Sequence, residues 1–389
     1  MDRPIAVAGH ICLDVIPAMS GVGEALRPGA LVHIGPAQFA TGGTVANVGL
    51  ALHRLGMRPR LIGKIGDDLF GQAILDILGG ADPELAAGMA RATGEPTSYS
   101  VVISAAASDR IFLHCPGVND TFGAADVADG ALDGVRVLHF GYPPLMRRMY
   151  LDDGRELAEL LGRAKDRGVT TSLDMARPDP QSEAGRVDWP GILRRALPFV
   201  DLFLPSAEEL LFMLDRPRFD AGARLDTSLL ARLAVRCLEM GAAMVGLKLG
   251  DQGLYLRTTA DTARLDTMGR GRPANLEAWR GRELLAPCFE AAVAGTTGSG
   301  DATIAGLLAA LLADEAPEDA LLDAVGVGAC SVEAVDATSG IPSWEAVRER
   351  IRAGWRQAAL MMVQGGDGGG WRWDERARLW HGAADGVVS

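Results

Sequence analysis

Apolar residues along this chain switch repeatedly between two spacings. Short, nearly unbroken apolar runs recur at residues 4–9, 60–66, 135–140, 169–174, 200–204 and 243–249. Between them, apolar positions fall three and four apart over residues 44–55 (stopping at Gly56), from Asp67 onward, and over 152–167, 189–196, 207–214 and 229–240. The second spacing is that of a helix with one buried face, and the first is that of a strand covered on both faces. Strand and helix in alternation predict an α/β architecture, a mostly parallel sheet between two layers of helices.

Two regions break this rhythm. Residues 31–34, 98–104 and 110–114 are strand-like with no helix between the latter two, which predicts a small antiparallel β lid drawn from about 13–40 and 95–120. Residues 257–284 are polar, rich in Arg and Gly and poorly patterned, and read as a hairpin or loop insertion. One large domain over 1–362 is therefore expected, followed by a Gly-rich extension over 363–389. The run Gly365-Gly366-Asp367-Gly368-Gly369-Gly370 is a flexible linker by composition. The short aromatic segment 371–381 beyond it either packs on the domain, packs on a neighbouring subunit or stays disordered.

Composition narrows the function. With 389 residues, 48% of them hydrophobic, the chain can bury a sizeable core. A net charge of -12 argues against a nucleic acid or an anionic membrane as partner, since both reward a basic face. Five cysteines, Cys12, Cys115, Cys237, Cys288 and Cys330, include no CxxC pair, which fits a reducing compartment better than a disulfide framework or a zinc site. The first residues show no signal-peptide pattern, and the longest apolar helical run, 305–313, is far too short for a bilayer. A soluble, cytoplasmic protein is the expectation.

The densest chemistry lies at Gly295-Thr296-Thr297-Gly298-Ser299-Gly300-Asp301, which runs into the apolar helical segment 302–312. A glycine-rich turn at a helix start presents backbone N–H groups and the positive end of the helix dipole, an arrangement suited to phosphate oxygens. Asp301, in the first turn, is by itself either a helix-stabilising carboxylate or a base beside a phosphate nest. No GxxxxGK(S/T) loop is present, and Gly9-His10-Ile11-Cys12-Leu13-Asp14 does not supply the GxGxxG of a dinucleotide fold.

The stretch Thr296–Asp301 closely resembles the second signature of the PfkB sugar kinases, DTxGAGD. Further motifs follow in the order of that family over residues 5–350. Gly42-Gly43-Thr44-Val45-Ala46-Asn47 with Leu55-Gly56 resembles its first signature, and Gly9 to Asp14 resembles its opening turn. Asp201 to Glu209 resembles DxxxPNxxE, with Ser206 in place of Asn, and Lys248 to Gly253 resembles TxGxxG, with Lys248 in place of Thr. The resemblance implies a three-layer ribokinase-like fold and transfer of the γ-phosphoryl of ATP, with Mg2+, to a hydroxyl of a sugar or sugar-like substrate.

Carried over residue by residue, Asp301 is the base and Gly298, Ser299 and Gly300 form the anion hole. Asp14, Gly42, Gly43 and Asn47 hold the acceptor. Lys248, Gly250, Gly253, Thr296 and Thr297 meet the nucleotide, Gly328 to Val332 border the adenine, and Glu209 reaches magnesium through water. Gly295 stands where the family usually has the Asp of its monovalent-cation loop, so the resemblance gives no ground for a potassium site. His10 reads as structural, Arg110 and His114 as strand charges of the lid, and Arg177, just after a strand at the sheet's carboxyl edge, as a contact to a phosphate or a substrate acid. A homodimer through the lid is a further implication. A nucleoside kinase of this fold and a sugar- or nucleoside-binding relative without turnover stay open as alternatives.

Overall fold

The computed structural model describes residues 5–19, 31–103, 111–360 and 370–386. An eleven-stranded sheet forms the centre. Its parallel part runs, in spatial order, Met244–Lys248, Leu202–Phe203, Thr170–Leu173, Val137–Gly141, Ile5–Gly9, Pro59–Gly66 and Met89–Ala92. Beyond Met244–Lys248 the sheet continues antiparallel through Leu254–Thr258, Glu283–Ala286, Leu379–His381 and Arg372–Asp374. Strands such as Ile5–Gly9 and Val137–Gly141 are buried along their whole length because helices cover both faces. Two hydrophobic clusters result. One gathers Val7, Leu52, Leu256, Leu308 and Leu321, and the other Phe140, Leu160, Phe203 and Leu230.

The lid is a separate four-stranded sheet in the order Ala37–Gly42, Cys12–Pro17, Tyr99–Ile103, Ile111–Cys115. Its outer pairs are antiparallel and its central pair is parallel. The expected strand at 31–34 is not there, since those residues carry no strand pairing. Its place is taken by Ala37–Gly42, whose small and polar residues conceal it in the sequence; it pairs with Cys12–Pro17 from Pro17↔Ala37 to Cys12↔Gly42. Arg110 lies outside the described residues.

The 257–284 segment joins two adjacent antiparallel strands, so its ends are hairpin strands, but its interior is not a plain loop. It carries the helices Thr262–Asp266 and Leu276–Trp279 and buries Leu265, Met268 and Trp279. The arginines that made it look solvated enter ion pairs instead: Arg257 with Glu283 at 2.8 Å and Arg264 with the fully buried Asp201 at 2.8 Å. The aromatic segment after the glycine run is also part of the main sheet, as the edge hairpin Arg372–Asp374 and Leu379–His381. Arg282 joins it to the body through Asp385 (2.8 Å) and also pairs with Glu318. Among the described residues, no helix is long and apolar enough to cross a membrane.

Candidate active site

The site forms where the carboxyl ends of the parallel strands meet the lid, the edge at which open α/β sheets hold ligands. The helix Ser299–Leu312 begins there, capped by Gly298 in the left-handed region (φ 74°). A Cβ at Gly298 would also lie 2.4 Å from Cβ of Ala337, so both conformation and space demand glycine. The N–H of Ser299 donates to the Thr296 carbonyl at 3.3 Å. The following N–H groups, of Gly300 and Asp301, have no acceptor within the helix by its geometry.

Asp301 is 3% exposed, and its carboxylate is held on two sides. Asn47 Nδ2, from the helix Thr44–Arg54, donates to Oδ2 at 2.9 Å. Tyr142 Oη donates to Oδ1 at 2.9 Å and to Oδ2 at 2.7 Å. Burial pushes the Asp301 carboxyl up from its ordinary value, against the opposing pull of Lys248, Asn47 and Tyr142. A carboxylate shifted upward is a stronger base and still has donors to orient it.

Tyr142 carries no motif and escaped the sequence reading. It follows the strand Val137–Gly141 in left-handed conformation, φ 66° and ψ 39°, which is rare for a large side chain. Such a backbone costs on the order of 1–3 kcal/mol and persists only where the surroundings impose it.

On the lid side, Asp14 lies against Gly42, where a Cβ would come within 2.5 Å of its Oδ2. Gly43 is the N-cap of the Asn47 helix at φ 85°, and a Cβ there would meet His10 Nδ1 at 2.5 Å. The two glycines thus let the helix start approach the turn that carries His10 and Asp14. Asn119, another residue without a sequence signal, clamps that turn: its Nδ2 donates to the Ile11 carbonyl at 2.9 Å and its Oδ1 accepts the Ile11 N–H at 3.4 Å. His10 is buried, neither ring nitrogen has a hydrogen-bond partner among the described residues, and burial followed by the His114 ring lowers its pKa to about 3. His114 bonds Ser100 Oγ at 3.0 Å on the lid.

On the other side of the glycine turn opens a largely apolar cavity of about 420 Å³. Lys248, Gly250, Gly253, Thr296, Ser299 and Gly300 line it, with Gly328, Ala329 and Val332 forming part of its wall. Thr297 is not among its lining residues. A larger depression of about 600 Å³, lined by Arg257, Thr258 and Arg280, is at the opposite edge of the sheet and far from this chemistry.

Lys248 joins the two sides. Its ammonium lies 2.6 Å from Oδ1 of the buried Asp174, beside Gly300. Burial opposes its charge, but Asp174, Glu209 and Asp301 together hold its pKa above the ordinary lysine value. Burial likewise pushes the Asp174 carboxyl up while Lys248 pulls it back. Glu209 closes a capping box on the helix Ala207–Leu214: its Oε2 accepts the Ser206 N–H at 2.7 Å, and its own N–H donates to Ser206 Oγ at 3.2 Å. Ser206, in place of Asn, therefore serves as a helix cap. Burial also raises the Glu209 pKa.

Magnesium takes oxygen ligands and keeps several waters. The Glu209 carboxylate and the buried, unpartnered Asp174 Oδ2 fit that preference. Gly295 backs onto the loop at Val335, where a Cβ would come 2.7 Å from the carbonyl oxygen, so an aspartate does not fit without displacing that loop. Arg177 is exposed.

The fold is that of the ribokinases: the Arabidopsis thaliana ribokinase complexed with ribose and ATP superimposes with a TM-score of 0.69 at 19% identity, covering 90% of this chain and 98% of that one. A Methanocaldococcus jannaschii nucleoside kinase, an archaeal member of the ribokinase family, gives 0.63 at 16% identity over 90% of this chain and 98% of its own. The model of the pfkB family of carbohydrate kinases matches residues 2–344, and the chain belongs to that family. Fructokinase-2 of Solanum habrochaites is 32% identical over 135 residues, 34% of this chain and 39% of that protein. The match thus spans about two fifths of that curated relative.

Proposed function

We propose that this protein transfers the γ-phosphoryl group of ATP to a hydroxyl of a sugar or related polyol, with Asp301 as general base. The observation that carries the reading is the Asp301 carboxylate: buried, oriented by two donors and adjacent to the glycine turn. On one side of it lies the cavity edged by Ser299, Gly300 and Lys248, and on the other the lid face with Asp14.

In this scheme the acceptor is held by Asp14 and Asn47 over the backbone of Gly42 and Gly43. Its hydroxyl proton passes to Asp301 as the oxygen attacks the γ-phosphorus; the bond to the β–γ bridging oxygen breaks and ADP leaves. The N–H groups of the Gly298–Ser299–Gly300 turn and the Lys248 ammonium stabilise the charge on the transferring phosphoryl group, where catalysis of this reaction mainly arises. The nucleotide occupies the apolar cavity, against Gly250, Gly253, Thr296 and the Gly328–Val332 wall, with Thr297 supporting the turn from outside it. Magnesium would neutralise part of the charge on the phosphates. Glu209, through water, and Asp174 would hold it. No monovalent cation is part of the scheme.

Fructose is the first acceptor to try, because curated relatives are named fructokinases. The test is ADP formation by the full chain with ATP and magnesium across fructose, ribose, other sugars and nucleosides. Acceptor-dependent turnover with a sugar supports the proposal, and turnover only with nucleosides moves the assignment to a nucleoside kinase. Tight acceptor binding without turnover makes it a binding protein.

A further inference from the structure

Tyr142 is held in place from both ends. Its backbone is in the left-handed region immediately before Pro143 and Pro144, a position where both the side chain and the following proline disfavour that conformation. The preceding Gly141 packs on Thr44, where a Cβ would come 2.3 Å from Oγ1, so the strand end is pressed against the start of the Asn47 helix. The Tyr142 ring lies 6.1 Å from that of His10, on the acceptor side. Its hydroxyl is shared between both oxygens of Asp301. With Asn47 also on Oδ2, that oxygen has two donors and Oδ1 has one.

A carboxylate oxygen accepts about two hydrogen bonds, so Oδ2 is filled and one position is left, on Oδ1. Water is the competing acceptor in any phosphoryl transfer to a hydroxyl, and a kinase that activates it wastes ATP. We propose that Tyr142 is a positioning residue that guards Asp301: its phenol orients the carboxylate and, with Asn47, narrows its access to the single position on Oδ1, for which an acceptor hydroxyl held at the lid competes better than free water. This rests on the reading of Asp301 as base. Burial, with the Asp301 and Asp174 carboxylates nearby, raises the phenol's pKa well above its ordinary value, so the group stays a proton donor through the working pH range. The reaction it suppresses is hydrolysis. There, a water proton passes to Asp301, the water oxygen attacks the γ-phosphorus, the bond to the bridging oxygen breaks, and ADP and phosphate leave.

The test measures ADP release from ATP and magnesium without acceptor, in the parent, Tyr142→Phe and Tyr142→Asn. Asn tolerates the left-handed backbone, so the second variant keeps the test open if the first does not fold. Both substitutions are expected to raise acceptor-free hydrolysis roughly tenfold, well inside the range that general-base assistance supplies. Adding Asp301→Asn to either should abolish the gain. The acid limb of kcat/KM should also move to higher pH, because a donor that lowers the Asp301 pKa has been removed. A merely structural role would lower hydrolysis and phosphotransfer together and leave the acid limb in place, and that result overturns the proposal. If the parent shows acceptor-dependent, Asp301-dependent turnover but neither variant gains hydrolysis, the Tyr142 assignment fails alone. If the parent shows no such turnover with any acceptor, the reading of Asp301 fails, and the Tyr142 assignment with it.

Discussion

Two buried histidines near the site make the protein's stability depend on pH. His139 bonds Thr44 Oγ1 at 3.3 Å and Ser172 Oγ at 2.9 Å, while among the described residues neither ring nitrogen of His10 has a hydrogen-bond partner. Burial first, and then a neighbouring charge, lowers the pKa of each to about 3 from an ordinary 6.5. The unfolded chain therefore binds more protons than the folded one between those values. Stability is present in full above pH 6.5 and is lost as the pH falls toward 3, by up to about 1.4 kcal/mol per pH unit and histidine. Urea unfolding at pH 7 and pH 5 should show that loss, with a smaller drop in His10→Asn. An identical drop in the variant would remove His10 from the account. At this scale the sequence was partly readable. The glycine turn marked an anion site at Gly298, while Asp301 as base and Asn47 as an acceptor contact were singled out by the resemblance to the PfkB signatures. Tyr142 could not, because a lone tyrosine after a strand becomes informative only when folding brings it to residue 301. Glu209 was read for a metal, and its capping box appears only once Ser206 is seen bonded to it.

At the scale of elements, periodicity served well wherever both faces of a strand are buried, as in Ile5–Gly9 and Val137–Gly141. It failed where burial is achieved with polar side chains. The 257–284 segment was polar on paper, yet Arg257 and Arg264 neutralise buried carboxylates, and the strands of the edge hairpin are three residues each, too short to show a period. The edge hairpin has a measurable role. Asp385 and Arg282 are both nearly buried and bonded at 2.8 Å, and His381 Nδ1 lies 2.6 Å from the same carboxylate. Deleting residues 370–389 leaves Arg282 with the Glu318 carboxylate and the Ala278 carbonyl and uncovers the strand Glu283–Ala286. A hydrogen bond to a charged group contributes about 1.5–3 kcal/mol, so a loss of that order is expected in a urea melt. Unchanged stability would make the hairpin an appendage.

For the whole molecule, the lid presents two unlike faces. Cross-strand neighbours share a face of a sheet. The row Asp14, Ser100, His114 therefore turns one way, toward the site. The row Phe39, Val15, Val101, Leu113 turns the other way, with Phe39 56% and Leu113 55% exposed. An apolar row on an exposed sheet face favours association with a second copy. Sedimentation should show a dimer that Leu113→Glu converts to monomer; a parent that is already monomeric contradicts this. The central claim, though, is the chemistry at Asp301. Its most direct test is transfer of label from γ-phosphate-labelled ATP to the sugar that the acceptor survey selects, in the parent and in Asp301→Asn. The account predicts labelled sugar phosphate from the parent and a fall of about 10²–10⁴-fold in the variant, with ATP still bound. Label transfer that survives the substitution undiminished would contradict it.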